Sequence, residues 1–232
     1  PLLFKEGGTP NKPMIAFEIW DIPPQDWPEE LINAYGKAIN DPFAWADKCV
    51  NEYQAQLLCL KMQGTHPDFG NKGAHEAAKF VSTLLNKVKI PLVIIGSGDD
   101  AKDNLIMPDC SQAAKGERCL IGCAVQDNYK TLVASALADG HSIIAESPID
   151  INIAKQLNIL ISDMGLNLER IVINPTIGAL GYGLEYAYSI MERARLAALS
   201  GDKTLATPFI CFVGQEAWRA KEAKSGEEQG II

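Results

Sequence analysis

The sequence predicts an α/β fold, a parallel (β/α) barrel of the TIM type whose eighth β/α unit is missing from this chain. Three features carry that expectation. Short runs rich in Ile, Val, Leu or Phe recur seven times, at 13–21, 56–64, 90–98, 118–128, 141–150, 171–178 and 208–216. Each gives way to a polar or glycine-bearing turn, and a helical stretch follows. Seven polar strand ends are therefore expected to meet at one rim, where this architecture places its sites.

Strand one puts Met14, Ala16, Glu18 and Trp20 on one face and Ile15, Phe17 and Ile19 on the other. The purely apolar face is expected against the helices, so Glu18 points inward. The same count on strand two leaves Leu57, Cys59 and Lys61 inward, and a Glu18–Lys61 ion pair is expected because either charge buried alone is costly. Between these strands Pro23, Pro24, Pro28 and Pro42 forbid one continuous helix, leaving an irregular loop around a short turn at 29–35. Asp41 caps the helix that follows, with Pro42 at its first position.

The second helix, 74–87, spaces Ala77, Phe80, Val81 and Leu84 by three and four. Pro108 is expected to break or shorten the third, between 103 and 115. The fourth runs 129–139 with Gly140 as its carboxyl cap. The fifth, 150–164, shows Ile151, Ala154, Leu157, Asn158 and Ile161 on one face. A helix at 185–199 ends before Gly201, and another is expected at 217–223, with no eighth strand after it.

At 232 residues, 47% hydrophobic and 22% charged, the chain has ordinary globular composition and suits one large domain. No apolar run approaches the roughly 18 residues of a membrane span. A net charge of −8 argues against a nucleic-acid partner, because phosphate binding needs clustered Lys and Arg. The six cysteines form no Cys-x-x-Cys, and Cys59, Cys119, Cys123 and Cys211 fall within expected strands, which points to reduced core thiols and a cytoplasmic protein. Residues 1–8 lack an initiator Met and a secretory apolar core, so the chain is expected to begin inside a longer protein.

Strand parity turns Gly122, Ala124, Gln126 and Asn128 inward on strand four, Ile144 and Glu146 on five, and Val172, Asn174 and Thr176 on six. Small residues lie low and polar ones high, a taper suited to a cavity whose amides address a large ligand. The competing structural reading is that these amides satisfy one another or the loop backbone. Ser97-Gly98-Asp99 and the glycine-dense loop with Gly178, Gly181 and Gly183 permit close backbone approach, but neither has the lysine of a phosphate loop. His66 and His75 lie near Asp68 without metal-ligand spacing, and His141 begins a strand, so neither a metal site nor a Ser/His/Asp set is expected. No catalytic residue is assigned.

Several segments resemble a known family. Pro13-Met-Ile-Ala-Phe-Glu-Ile-Trp-Asp21, Gly178-Ala-Leu-Gly-Tyr-Gly-Leu-Glu-Tyr186, Ser189-Ile-Met-Glu-Arg193, the run 147–160 and Gly214-Gln-Glu-Ala-Trp-Arg-Ala-Lys-Glu222 are similar to the small subunit of the corrinoid iron-sulfur protein, a family that includes the acetyl-CoA decarbonylase/synthase complex delta subunit. The resemblance covers nearly the whole chain. It implies that residues 1–232 form a single barrel domain, truncated at both ends relative to the family.

It further implies a larger partner subunit carrying a [4Fe-4S] cluster and a corrinoid-binding domain, so that the corrinoid lies against the rim of this chain and the cluster belongs to the partner. A methyltransferase delivers the methyl group of a methylated tetrahydropterin to the cobalt, and acetyl-CoA synthase receives it, in acetyl-CoA synthesis or cleavage. The chain is then a methyl-transfer subunit rather than a catalyst alone. The rim contacts expected from strand parity are Gln126, Asn128, Glu146, Asn174 and Thr176, with Gly178, Gly181 and Gly183 allowing close approach. Two other functions fit such a barrel: a pterin-binding methyltransferase, and a small-molecule enzyme that would use Lys61 as a Schiff base.

Overall fold

The computed structural model describes residues 11–25, 27–179 and 181–221. The chain divides into two compact units between Ala114 and Lys115. Each contains three parallel strands, in chain order, alternating with helices.

In the first unit β1 (Phe17–Trp20), β2 (Leu58–Lys61) and β3 (Leu92–Ile95) pair with Phe17 opposite Leu58 and Leu58 opposite Leu92. All four residues of β3 are buried, which is why its sequence is a continuous apolar run rather than an alternating one. The connecting helices are α1 (Glu29–Tyr35), α2 (Pro42–Asn51), α3 (Ala74–Lys87) and α4 (Asp100–Ala113). Asp41 caps α2 by accepting from Phe43 N at 3.0 Å, as its position before Pro42 predicts. Trp20, Trp27, Tyr35, Trp45 and Tyr53 form a chain of ring contacts with centroids 5.3–6.2 Å apart, which gathers α1 and α2 onto the start of the sheet.

Pro108 does not break its helix. α4 is continuous from Asp100 to Ala113, although a proline inside it removes a hydrogen bond and costs about 3 kcal/mol. Ile106 and Met107 before it and Cys110 and Ser111 after it are all buried. Each large apolar side chain so covered contributes about 1.5–3 kcal/mol, enough to offset the lost bond. Packing overrides local propensity here.

In the second unit β4 (Leu120–Ala124), β5 (Ser142–Glu146) and β6 (Ile171–Asn174) alternate with α5 (Tyr129–Asp139) and α6 (Ile151–Asp163). They are followed by α7 (Leu184–Leu199) and α8 (Val213–Arg219). Gly140 adopts φ 89° at the end of α5, the left-handed cap expected of it. The buried face of α6 is Ile151, Ala154, Leu157, Asn158 and Ile161, the five residues its periodicity selects. Ile151 and Ala154 meet Ile173, Ile190, Ala194 and Leu205 in one apolar cluster that fastens α6 and α7 to β6.

The expected seventh strand is reduced to an isolated bridge. Residues 208–216 hold one bridge, Phe209 parallel to Ile173, with Ile173 N donating to Pro208 O at 2.8 Å and Ile210 N to Ile173 O at 2.9 Å. The neighbour and direction are those expected of a barrel strand, but α8 begins four residues later at Val213 and stops the ladder. The helix expected at 217–223 lies four residues earlier, and residues 222–223 are outside the described residues. No helix among the described residues is long and apolar enough to cross a membrane.

None of the six cysteines is in a disulfide, and four of them are buried. Burial pushes the Cys49 and Cys119 thiols up to about 11 and Cys110 to about 12, and moves Cys59 and Cys211 upward too.

Candidate functional site

The polar groups at the carboxyl ends of β5 and β6 are assembled by register. Glu146 stands directly opposite Asn174 in the parallel ladder. Asn174 Nδ2 donates to Glu146 Oε2 at 2.7 Å, while Asn174 Oδ1 accepts from Thr176 N at 3.1 Å. The Thr176 hydroxyl donates to Pro175 O at 2.7 Å. One buried amide thus links two strand ends to the loop that leaves the sheet. Glu146 and Thr176 are part-buried and Asn174 is buried.

Two costs sit in this corner. Thr176 has φ 51°, in the left-handed region that a β-branched residue avoids at a cost of about 1–2 kcal/mol. Ser147 follows Glu146, donates its N–H to Asn174 O at 2.9 Å, and buries its hydroxyl with no hydrogen-bond partner. Leaving such a group unsatisfied costs about 1–3 kcal/mol. Strand alternation places Ser147 off the inward set, so no periodic signal singles it out; its backbone bond across β5 and β6 does.

The small residues lower on the inward face are required by close packing. A Cβ on Gly122 would come 2.6 Å from Ile144 Cβ, so the low part of the face admits nothing larger. The expected continuation to Gln126 and Asn128 fails because β4 ends at Ala124 and a turn begins. Asn128 is buried and faces back into that turn, accepting from Val125 N at 2.8 Å and donating to Cys123 O at 3.4 Å. Gln126 is exposed on the turn and makes no hydrogen bond among the described residues. Asn128 thus has the structural role, and Gln126 the available amide.

The glycine loop is tight. Gly178 is buried, and a Cβ there would meet Tyr182 O at 2.6 Å, because the chain turns back on itself before α7. Gly183 caps α7 with φ 113° and Gly181 has φ 79°, backbone states that L side chains rarely adopt. Leu180 lies outside the described residues. The loop sequence is therefore accounted for by its own closure, whatever it also allows.

In the first unit the strand-end groups are saturated. Asp21 accepts from Gly64 N at 2.7 Å and pairs with Lys72 Nζ at 3.0 Å, and its side chain has no solvent exposure. Asp103 reaches back from α4 to accept from Ser97 N at 2.8 Å, Ser97 Oγ at 2.9 Å and Gly98 N at 3.0 Å. Burial outweighs these bonds and raises its pKa. Glu18 accepts from Trp20 Nε1 at 2.7 Å, and Lys61 Nζ lies 5.4 Å from the Trp20 ring centroid, opposite Trp20 in register. Both expected ion-pair partners converge on that indole. Among the described residues no three His, Cys, Asp or Glu side chains are grouped to hold a metal ion.

The model of one family, described as CO dehydrogenase/acetyl-CoA synthase delta subunit, matches residues 3–227. Acetyl-CoA decarbonylase/synthase complex subunit delta of Methanothermobacter thermautotrophicus is 39% identical over 218 residues, which is 94% of this chain and 56% of that protein. The subunit delta of Methanocaldococcus jannaschii is 38% identical over 92% of this chain and 54% of its own length. That of Archaeoglobus fulgidus is 34% identical over 92% and 47%. The chain spans about half the length of these curated relatives. With a match this extensive, the chain belongs to the CO dehydrogenase/acetyl-CoA synthase delta-subunit family.

Proposed function

We propose that this chain is the barrel part of the small subunit of a corrinoid iron-sulfur methyl carrier within an acetyl-CoA decarbonylase/synthase complex. Family membership carries the reading, and the Glu146–Asn174–Thr176 chain of hydrogen bonds supplies a site for it. The β/α alternation in both units and the Phe209 bridge favour a single TIM-type barrel domain over residues 1–232. Its partners are a large subunit that carries the corrinoid domain and the [4Fe-4S] cluster, a methyltransferase and acetyl-CoA synthase. Buried, protonated thiols favour the cytoplasm.

A corrin ring is fringed with neutral amides, and the residues of the second unit fit it. Gln126 offers an exposed amide, and Glu146 has acceptor capacity beyond its one bond to Asn174. When bound, the corrinoid supplies the cobalt that carries the methyl group. This chain's contribution is to hold and cover: Gln126 and Glu146 address the amides, Asn174 fixes Glu146, and the compact loop at Gly178, Gly181 and Gly183 allows a flat ligand to come close. Asn128 and Thr176 shape the loops on either side.

The test is cobalamin binding by the full-length chain assembled with its large subunit and stripped of corrinoid. Glu146→Ala combined with Gln126→Ala is expected to weaken retention about tenfold or more, since hydrogen bonds to charged groups are worth about 1.5–3 kcal/mol. Retention of a methylated pterin by this chain alone, without cobalamin binding in the assembly, would overturn the reading in favour of a pterin-binding methyltransferase.

A further inference from the structure

We propose that the groove between α2 and the end of α3 is a docking site for an amphipathic helix of a protein partner, one with basic residues along one flank and acidic residues along the other. The groove belongs wholly to the first unit, and its test needs no corrinoid. It has a volume of about 620 Å³ and is open on one side. Its floor is apolar: Phe43 and Val50 come from α2, and Val88 and Ile90 from the segment that follows α3. All four are half-buried, whereas Trp45, Ala46 and Cys49 give α2 its buried face. Helix α2 therefore carries a second stripe, on which Phe43, Asp47 and Val50 follow one another at helical spacing.

The walls carry opposite charges. Asp41 and Asp47 line the α2 side, and Lys87 and Lys89 the other. Among the described residues none of these four side chains forms an ion pair. Asp41 accepts from Phe43 N, Asp47 accepts from Asn51 Nδ2 at 2.7 Å, and Lys89 Nζ donates to Leu85 O at 3.0 Å. Lys87 Nζ lies 4.7 Å from the centroid of the Phe43 ring, which itself stacks on Phe80 at 4.9 Å. Acids and bases are thus held apart across an apolar floor, and the Phe43 ring between Lys87 and Phe80 is a preformed anchor.

An open groove beside a helix of 10 residues, about 15 Å long, covers one side of its occupant rather than enclosing it. The complement is a second helix that sets apolar side chains at i, i+3, i+4 and i+7 on the floor, basic residues towards Asp41 and Asp47 and acidic residues towards Lys87 and Lys89. Exposed ion pairs add little affinity, so the charges select the partner while the floor holds it.

The test is fluorescence anisotropy of the full-length chain with three labelled, end-capped helical peptides of about 15 residues. They share one leucine stripe and differ in their flanks: lysine on one and glutamate on the other, lysine on both, or glutamate on both. The mixed peptide is expected to bind about tenfold more tightly than either uniform one, because each of those sets like charges against one wall. Lys87→Glu combined with Lys89→Glu should move the preference to the lysine-only peptide. Asp47→Lys should move it towards the glutamate-only peptide, and serves if the first variant fails to fold. A wild-type preference below about threefold, no binding of any peptide, or a preference that the variants leave unchanged overturns the proposal. So does a dimer of the full-length chain that Lys87→Glu with Lys89→Glu dissociates, since the occupant is then a second copy.

Discussion

Asp21 and Glu146 both stand at the carboxyl ends of parallel strands, yet they are treated in opposite ways. Asp21 is sealed from solvent, with Gly64 N on one oxygen and the Lys72 ammonium on the other. Glu146 is part-buried and held by one amide. Asp103 repeats the first pattern with three donors, and Ser147 extends the second with none. The first unit uses polar residues at its strand ends to pin its own loops, while the second keeps hydrogen-bonding capacity in reserve. Satisfied groups stabilise the unit that holds them, and on the function proposed above the spare capacity of the second unit is what a ligand would use.

The largest expected effect tests the sealed side. Lys72→Ala leaves the buried Asp21 carboxylate without its counter-charge and should cost about 3–5 kcal/mol in urea unfolding; a loss below about 1 kcal/mol would erase the contrast. Asp103→Asn should cost about 1–2 kcal/mol, because the amide nitrogen cannot accept from Gly98 N. Its pH dependence has a definite sign. Since burial raises the folded pKa of Asp103, its contribution is fullest below the ordinary carboxylate range and is lost as pH rises through the raised value. Wild type should therefore gain on Asp103→Asn as pH falls towards 4, and a flat difference would show that the carboxylate is solvated.

On the reserved side, Asn174→Ala removes two hydrogen bonds in a part-buried setting and should cost about 1 kcal/mol. It should disturb ligand retention more than stability. Gln126→Ala is expected to change stability by less than about 0.5 kcal/mol, as for surface positions that hold nothing. Any larger loss would show that the exposed amide is structural after all.

How much of this was legible depended on how local each signal was. The bounds of α3 and α5 and the buried face of α6 follow from caps and three-to-four spacing, which neighbouring residues determine. Strands were overextended at one or both ends, because an apolar run does not reveal where the ladder stops. That is why parity failed at Gln126 and Asn128, beyond the end of β4, but held at Glu146 and Asn174, which the ladder still includes. The Asp21–Lys72 pair spans 51 residues and has no periodic signature. Pro108 misled in the other direction, since burial on both sides of it is a tertiary fact.

If the chain works beside an activated methyl group, as proposed above, the state of its cysteines matters. A sulfur anion attacks carbon electrophiles and captures soft metals, whereas its protonated form does neither readily. With Cys49, Cys110 and Cys119 titrating only at about 11, 12 and 11, these sulfurs stay uncharged at neutral pH. They would be bystanders rather than sinks, and cargo passing the rim would not leak into dead-end thioethers on the carrier itself.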